Sequence, residues 1–174
     1  VFKKILKQNK IPFGKSLNKE IFRKKIIKKY NENFYTKIQS EIYGENILYA
    51  QKFRNLKRNL NYLKGKYHLV LISHKTKYPI SGKKVNLRKQ ALLWLNNNHL
   101  YGSKKIFNKK NVFFEQTIDK KIKKIKKLKC NYFIDDLNVI LDRLPSNINK
   151  IKFGSKSKKY KFFLNWKNIN KIII

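Results

Sequence analysis

The chain has 174 residues and a formal net charge of +35, from Lys+Arg 44 against Asp+Glu 9. Hydrophobic residues make up 41% and aromatics 14%, which excludes a disordered polycation and suits one domain with a real core. Cys130 is the only cysteine, so an internal disulfide and a Cys-based zinc site are excluded, as fits a reducing, cytoplasmic protein. No apolar run reaches the length of a membrane span, and the N-terminus has no signal-peptide core.

Val1 to Gln8 reads as a helix with Phe2, Ile5 and Leu6 on one face, broken by Ile11-Pro12-Phe13-Gly14. Ser16 to Tyr30 is predicted helical on a stripe of Leu17, Ile21, Ile27 and Tyr30. A third helix is expected from Phe34 to Tyr43, stopped by Gly44. A fourth is expected from Ile47 to Leu63, with Phe53, Leu56, Leu60 and Leu63 as its stripe and Lys64-Gly65-Lys66 as its stop.

Tyr67 to Ser73 is the strongest predicted strand, because Leu69 to Ile72 are apolar on both faces. A polar loop through Gly82 precedes a helix from Leu87 to Asn97, capped by Asn86. Asn111 to Glu115 is the next strand. Thr117 caps a helix with Ile118, Ile122, Ile125 and Leu128 on one side. Tyr132 to Ile134 form a third strand that stops on Asp135 and Asp136, with a short helix to Leu141. Lys150 to Gly154 is a further short strand. A basic loop, Gly154 to Lys161, leads to a last stretch carrying Trp166. The alternation of helix and strand predicts an α/β fold: a parallel sheet with helices on both faces. The organisation expected is one domain, with residues 1–63 a helical segment and residues 64–174 the Rossmannoid core.

Three strand ends carry polar groups: Ser73 on the first, Glu115 on the second, and Asp135 with Asp136 on the third. Lys121 opens the helix after Glu115. A parallel sheet brings these ends to one rim, where ligands collect. Adjacent carboxylates repel, and a hard cation such as Mg2+ relieves that repulsion through oxygen ligands. A hydroxyl and a lysine there can hold phosphate oxygens. Each residue also has an ordinary reading: Ser73 as a turn former, Lys121 as surface, Asp136 as the cap of a helix from Leu137.

The order hydroxyl, lysine, paired aspartates, each on its own strand–helix junction, resembles the haloacid dehalogenase-like superfamily of phosphohydrolases. Leu69-Val70-Leu71-Ile72-Ser73 is similar to its second motif, Lys121 to its third and Phe133-Ile134-Asp135-Asp136 to its fourth. The strings Ile72-Ser73-His74-Lys75-Thr76, Phe113-Phe114-Glu115-Gln116-Thr117 and Cys130 to Leu137 resemble a bacterial group within it. Tyr43-Gly44 and Trp94-Leu95 fall where that group has similar residues.

The resemblance implies a Mg2+-dependent phosphatase or phosphotransferase acting on a small phosphorylated substrate. Ser73 would bind phosphoryl oxygens, with His74 and Lys75 near the leaving group. Lys121 would neutralise charge, and Asp135 and Asp136 would hold Mg2+. Glu115 is a weaker candidate for orienting Lys121 or the metal shell. The family's first motif, an Asp-x-Asp on a central strand, occurs nowhere in this chain. A chain that begins at Val1 and contains no methionine is expected to be a piece of a longer frame, cut after that strand. It should lack the middle of its sheet and be catalytically inert.

The extreme charge predicts salt-sensitive attraction to polyanions. The basic residues are nearly all lysine, and the arginines are only Arg23, Arg54, Arg58, Arg88 and Arg143. That usage matches AT-rich codons and a solvated basic surface. The rival function is a non-enzymatic nucleic-acid or polyanion binder that uses the loop Gly154 to Lys161 and the lysine-rich helix before Cys130.

Overall fold

The computed structural model describes residues 1–12 and 19–173. The chain divides into two compact units, residues 1–51 with 76–98, and residues 52–75 with 99–174.

The first unit is helical. Helix α1 (Phe2–Gln8) buries Ile5 and Leu6, which sit on the expected face. Helix α2 (Lys19–Lys29) buries Phe22 and Ile26, one position away from the predicted stripe, and Tyr30 is exposed. The predicted break at Phe13-Gly14 and the start at Ser16 and Leu17 lie outside the described residues. Helix α3 (Glu32–Tyr43) is capped by Asn31, whose side chain accepts the Phe34 N–H, and it buries Ile38 and Ile42. These apolar faces meet in one core with Ile11.

The single helix expected from Ile47 to Leu63 is broken. A 3-10 helix spans Glu45–Tyr49, residues 50–53 have no regular structure, and Asn55 adopts a left-handed φ of 65°. Helix α4 (Leu56–Lys64) then starts afresh in the second unit. Phe53 is 56% exposed, so its place in the stripe was accidental. Helix α5 (Leu87–Asn97) begins at Asn86, which accepts the Lys89 N–H, and packs on α3 and the 3-10 helix. Trp94 donates its indole N–H to the Ala50 carbonyl.

The second unit is α/β with parallel strands. Strand β1 (Leu71–His74) pairs in parallel with β2 (Val112–Glu115), with Ile72 opposite Phe113. Strand β3 (Tyr132–Asp135) pairs in parallel with β4 (Asn149–Phe153), and β4 with β5 (Lys161–Phe163). Strand β5 falls at the end of the stretch read as basic loop; its alternation is too short to register in the sequence. The pairings make two separate sheets, β1-β2 and β3-β4-β5. Helix α6 (Ile118–Lys127) is capped by Thr117 as expected, and α7 spans Asn138–Leu141.

Two apolar layers cover the strands. One holds Ile72, Ile122, Ile125, Phe133, Ile140 and Leu141, with Val70 and Phe113 beside them. The other holds Leu63, Ile151, Phe163 and Ile169, with Leu69, Tyr132 and Ile134. Alternate residues of β3 thus enter opposite layers, the signature of a strand buried on both faces. Asn111 pins the entry to β1. Its buried amide donates to the carbonyls of Leu69 (3.0 Å) and Ile106 (3.1 Å), and its Oδ1 accepts the Asn108 N–H.

Candidate functional site

The carboxyl ends of the strands gather on one rim of the second unit. β1 and β2 are parallel, and α6 leaves directly from the end of β2. Lys121, in the first turn of α6, reaches Asp135 at the end of β3. The ends of β1, β2, β3 and β4 therefore face the same way.

Asp135 is the best-anchored group of the rim. Its Oδ2 receives the Lys121 ammonium at 2.5 Å, and its Oδ1 accepts the Leu137 N–H at 2.9 Å. Both side chains are buried, 9% exposed for Lys121 and 6% for Asp135. The Lys121 ammonium also lies 5.4 Å from the centre of the Phe133 ring. One helical turn places Lys121 beside Ile122 and Ile125, so the apolar face of α6 carries it inward. In a chain rich in solvated lysines this one is buried because a carboxylate awaits it.

Asp136 is different. It is exposed, it borders the cavity described below, and its carbonyl accepts the Lys152 ammonium at 2.7 Å. Lys152 stands opposite Asp135 in the β3–β4 register and is buried. Sequence reasoning missed it. The available signal was a lone lysine between Ile151 and Phe153, in a strand next to the aspartates. Asp136 does not cap α7, since the Leu137 N–H goes to Asp135.

At the end of β1, Ser73 is level with Phe114 and His74 with Glu115. A His74 ring nitrogen meets the Gln116 carbonyl at 3.0 Å, so the imidazole is tied to the neighbouring strand end. Burial pushes the Lys75 ammonium below the usual lysine value, because desolvation disfavours its charged form. The Ser73 hydroxyl is bonded to neither Lys121 nor Asp135 among the described residues. The Glu115 carboxylate faces Lys124 at 3.7 Å, one turn beyond Lys121.

A cavity of about 500 Å³ opens between β1 and β3, bordered by Leu69 to Ile72 on one side and Cys130 to Asp136 on the other. Its size falls in the range of small-ligand sites. Among the described residues no cluster of three or more His, Cys, Asp or Glu is placed to hold a metal. Both Asp135 oxygens are taken by Lys121 and the Leu137 N–H, so the exposed Asp136 is the carboxylate of this pair that solvent reaches, and Mg2+ can be held by one or two carboxylates with water and phosphate completing its shell. In the basic loop, Lys159 and Tyr160 both donate to the Asp142 carboxylate, so part of that loop is spent on internal contacts. No helix among the described residues is long and apolar enough to cross a membrane. No family model matches the chain, and no curated protein matches it either.

Proposed function

We propose that the rim is part of a Mg2+-dependent phosphoryl-transfer site of the haloacid dehalogenase-like kind. The observation that carries this reading is the buried Lys121–Asp135 pair beside the exposed Asp136, at the carboxyl ends of parallel strands. Phosphoryl transfer is mainly positioning and charge neutralisation, and these residues are suited to both. In this reading Asp135 fixes the Lys121 ammonium, which faces the phosphate oxygens. Ser73 and the backbone N–H beyond it hold the phosphoryl group, while His74 and Lys75 meet the rest of the substrate. Asp136, with Asp135 behind it, would hold Mg2+, which supplies charge neutralisation at the phosphate.

The attacking carboxylate is absent from residues 1–174, since no Asp-x-Asp occurs there. Asp135 cannot replace it while bonded to Lys121 and Leu137. The 174-residue chain is therefore expected to be inert, and a longer polypeptide carrying Asp-x-Asp on an added strand is expected to be active. The test is to assay both with an aryl phosphate and Mg2+, together with Lys121→Ala and Asp136→Asn in the longer form. Hydrolysis by the 174-residue chain, lost in Asp135→Asn/Asp136→Asn, would overturn the missing-nucleophile account. An inert longer form on a broad panel of phosphate esters would overturn the phosphatase reading and favour the basic polyanion binder.

A further inference from the structure

Lys152 is a buried cation that the proposed site does not use. It stands in β4 between Ile151 and Phe153 and is only 5% exposed. The β3–β4 register sets it opposite Asp135, and its ammonium donates to the Asp136 carbonyl at 2.7 Å. That acceptor is neutral, so the ammonium keeps its charge beside the aspartate pair. Covalent geometry holds a carbonyl oxygen within a few ångström of the carboxylate on the same residue. A buried ammonium is costly unless opposite charge stands near it, and here the aspartate pair supplies that charge.

The charges of this corner balance without a metal. Lys121 sits on Asp135 at 2.5 Å, and Lys152 holds the peptide of Asp136. Two aspartates thus face two buried ammoniums. The repulsion between adjacent carboxylates, which draws in a divalent cation when nothing opposes it, is relieved by the protein's own side chains. Glu115, nearby, is matched by Lys124. A divalent cation approaching Asp136 meets the Lys152 charge as well as the carboxylate, and gains little. A phosphate dianion meets two ammoniums. Once it is seated, the sum of charges turns negative, and the same place then attracts a divalent cation.

We infer that Lys152 makes Mg2+ binding at Asp136 conditional on a phosphate group: the anion enters first, and the cation follows into the space that Asp136 and the phosphate share. The inference rests on the proposed function for the placement of phosphate and Mg2+ at this rim, but it is read by binding alone. By linkage, Mg2+ tightens phosphate binding by the same factor as phosphate tightens Mg2+ binding. A second role for Lys152, bare support of the Asp136 peptide, gives the opposite sign on mutation. Loss of support weakens Mg2+ binding, whereas loss of the charge strengthens it.

The experiment follows the His74, Asp136 and Leu137 amide resonances of the 174-residue chain in about 0.15 M salt, which screens diffuse attraction to the basic surface. Free Mg2+ is titrated alone and with saturating inorganic phosphate. Phosphate should tighten Mg2+ at least about tenfold. Lys152→Leu keeps an apolar side chain between Ile151 and Phe153 and removes the charge. It should bind Mg2+ without phosphate at least about tenfold more tightly than the parent. Lys152→Arg keeps the charge and should behave as the parent does. Mg2+ binding to the parent that is indifferent to phosphate would overturn the inference, and so would weaker Mg2+ binding in Lys152→Leu. If Lys152→Leu lacks the dispersed amide spectrum of the parent, the phosphate dependence of the parent decides alone. No response of these amides to Mg2+ with phosphate in the parent and both variants would remove the site itself, and the proposed function with it. Tight Mg2+ binding that ignores phosphate would sink the inference and leave the proposed function standing.

Discussion

Removing one partner of the Lys121–Asp135 pair should cost far more than removing both. At 2.5 Å the two charges attract by about 7 kcal/mol at an effective dielectric near 20. Desolvation of two nearly buried ions cancels most of that gain. Lys121→Met leaves the Asp135 carboxylate buried with only the Leu137 N–H, and Asp135→Leu leaves a buried ammonium beside the Phe133 ring. Each single variant should lose about 3–5 kcal/mol, while the double variant should fall within about 1 kcal/mol of the parent. In a chain of this size that is roughly 6–20 °C in Tm for each single change. Urea denaturation of the four proteins, followed by a probe in the second unit, closes the cycle. A coupling energy below about 0.5 kcal/mol would show that water reaches the pair and that its burial argument fails.

Gly82 has φ +91°, and a Cβ there would lie 2.2 Å from the Ser40 hydroxyl oxygen. Gly82→Ala should destabilise by about 2–3 kcal/mol, combining the backbone penalty with the lost Ser40–Lys37 hydrogen bond, and by less in a Ser40→Ala background; thermal melts decide it. Asn111→Leu strands the Leu69 and Ile106 carbonyls and should cost about 2–4 kcal/mol in urea unfolding, with a stable variant refuting the pinning role. Hydrogen bonds from Lys159 and then Tyr160 hold the Asp142 carboxyl below its usual range. A depressed acid stabilises the fold above its unfolded pKa and loses that contribution as pH falls through the folded one, so the acid limb below about pH 4 should flatten in Asp142→Asn. If the basic surface is unspecialised, binding to duplex RNA or heparin should vanish near 0.2 M salt; sequence- or structure-selective binding that survives there would favour the polyanion reading.

Local chemistry alone determined much of the outline. The caps Asn86 and Thr117 sit where their side chains can accept a backbone N–H two or three residues on, and both do. The apolar runs around Leu71 and Phe133 became parallel strands because they are uncharged on both faces. The Asp135-Asp136 stop was legible because acids are so scarce. Three things needed the tertiary structure. The helix expected from Ile47 to Leu63 obeyed its periodicity, yet Asn55 turns left-handed and the chain passes from one unit to the other there. Strand β5 exists only because β4 offers it an edge. Lys121 and Lys152 look like any other lysine in sequence; which lysine is buried depends on which carboxylate or carbonyl the fold places opposite it, and that is a long-range fact. The division of the strands into two sheets, β1-β2 and β3-β4-β5, is of the same kind, since pairing partners are chosen by neighbours in space and the sequence of a strand names only its willingness to pair.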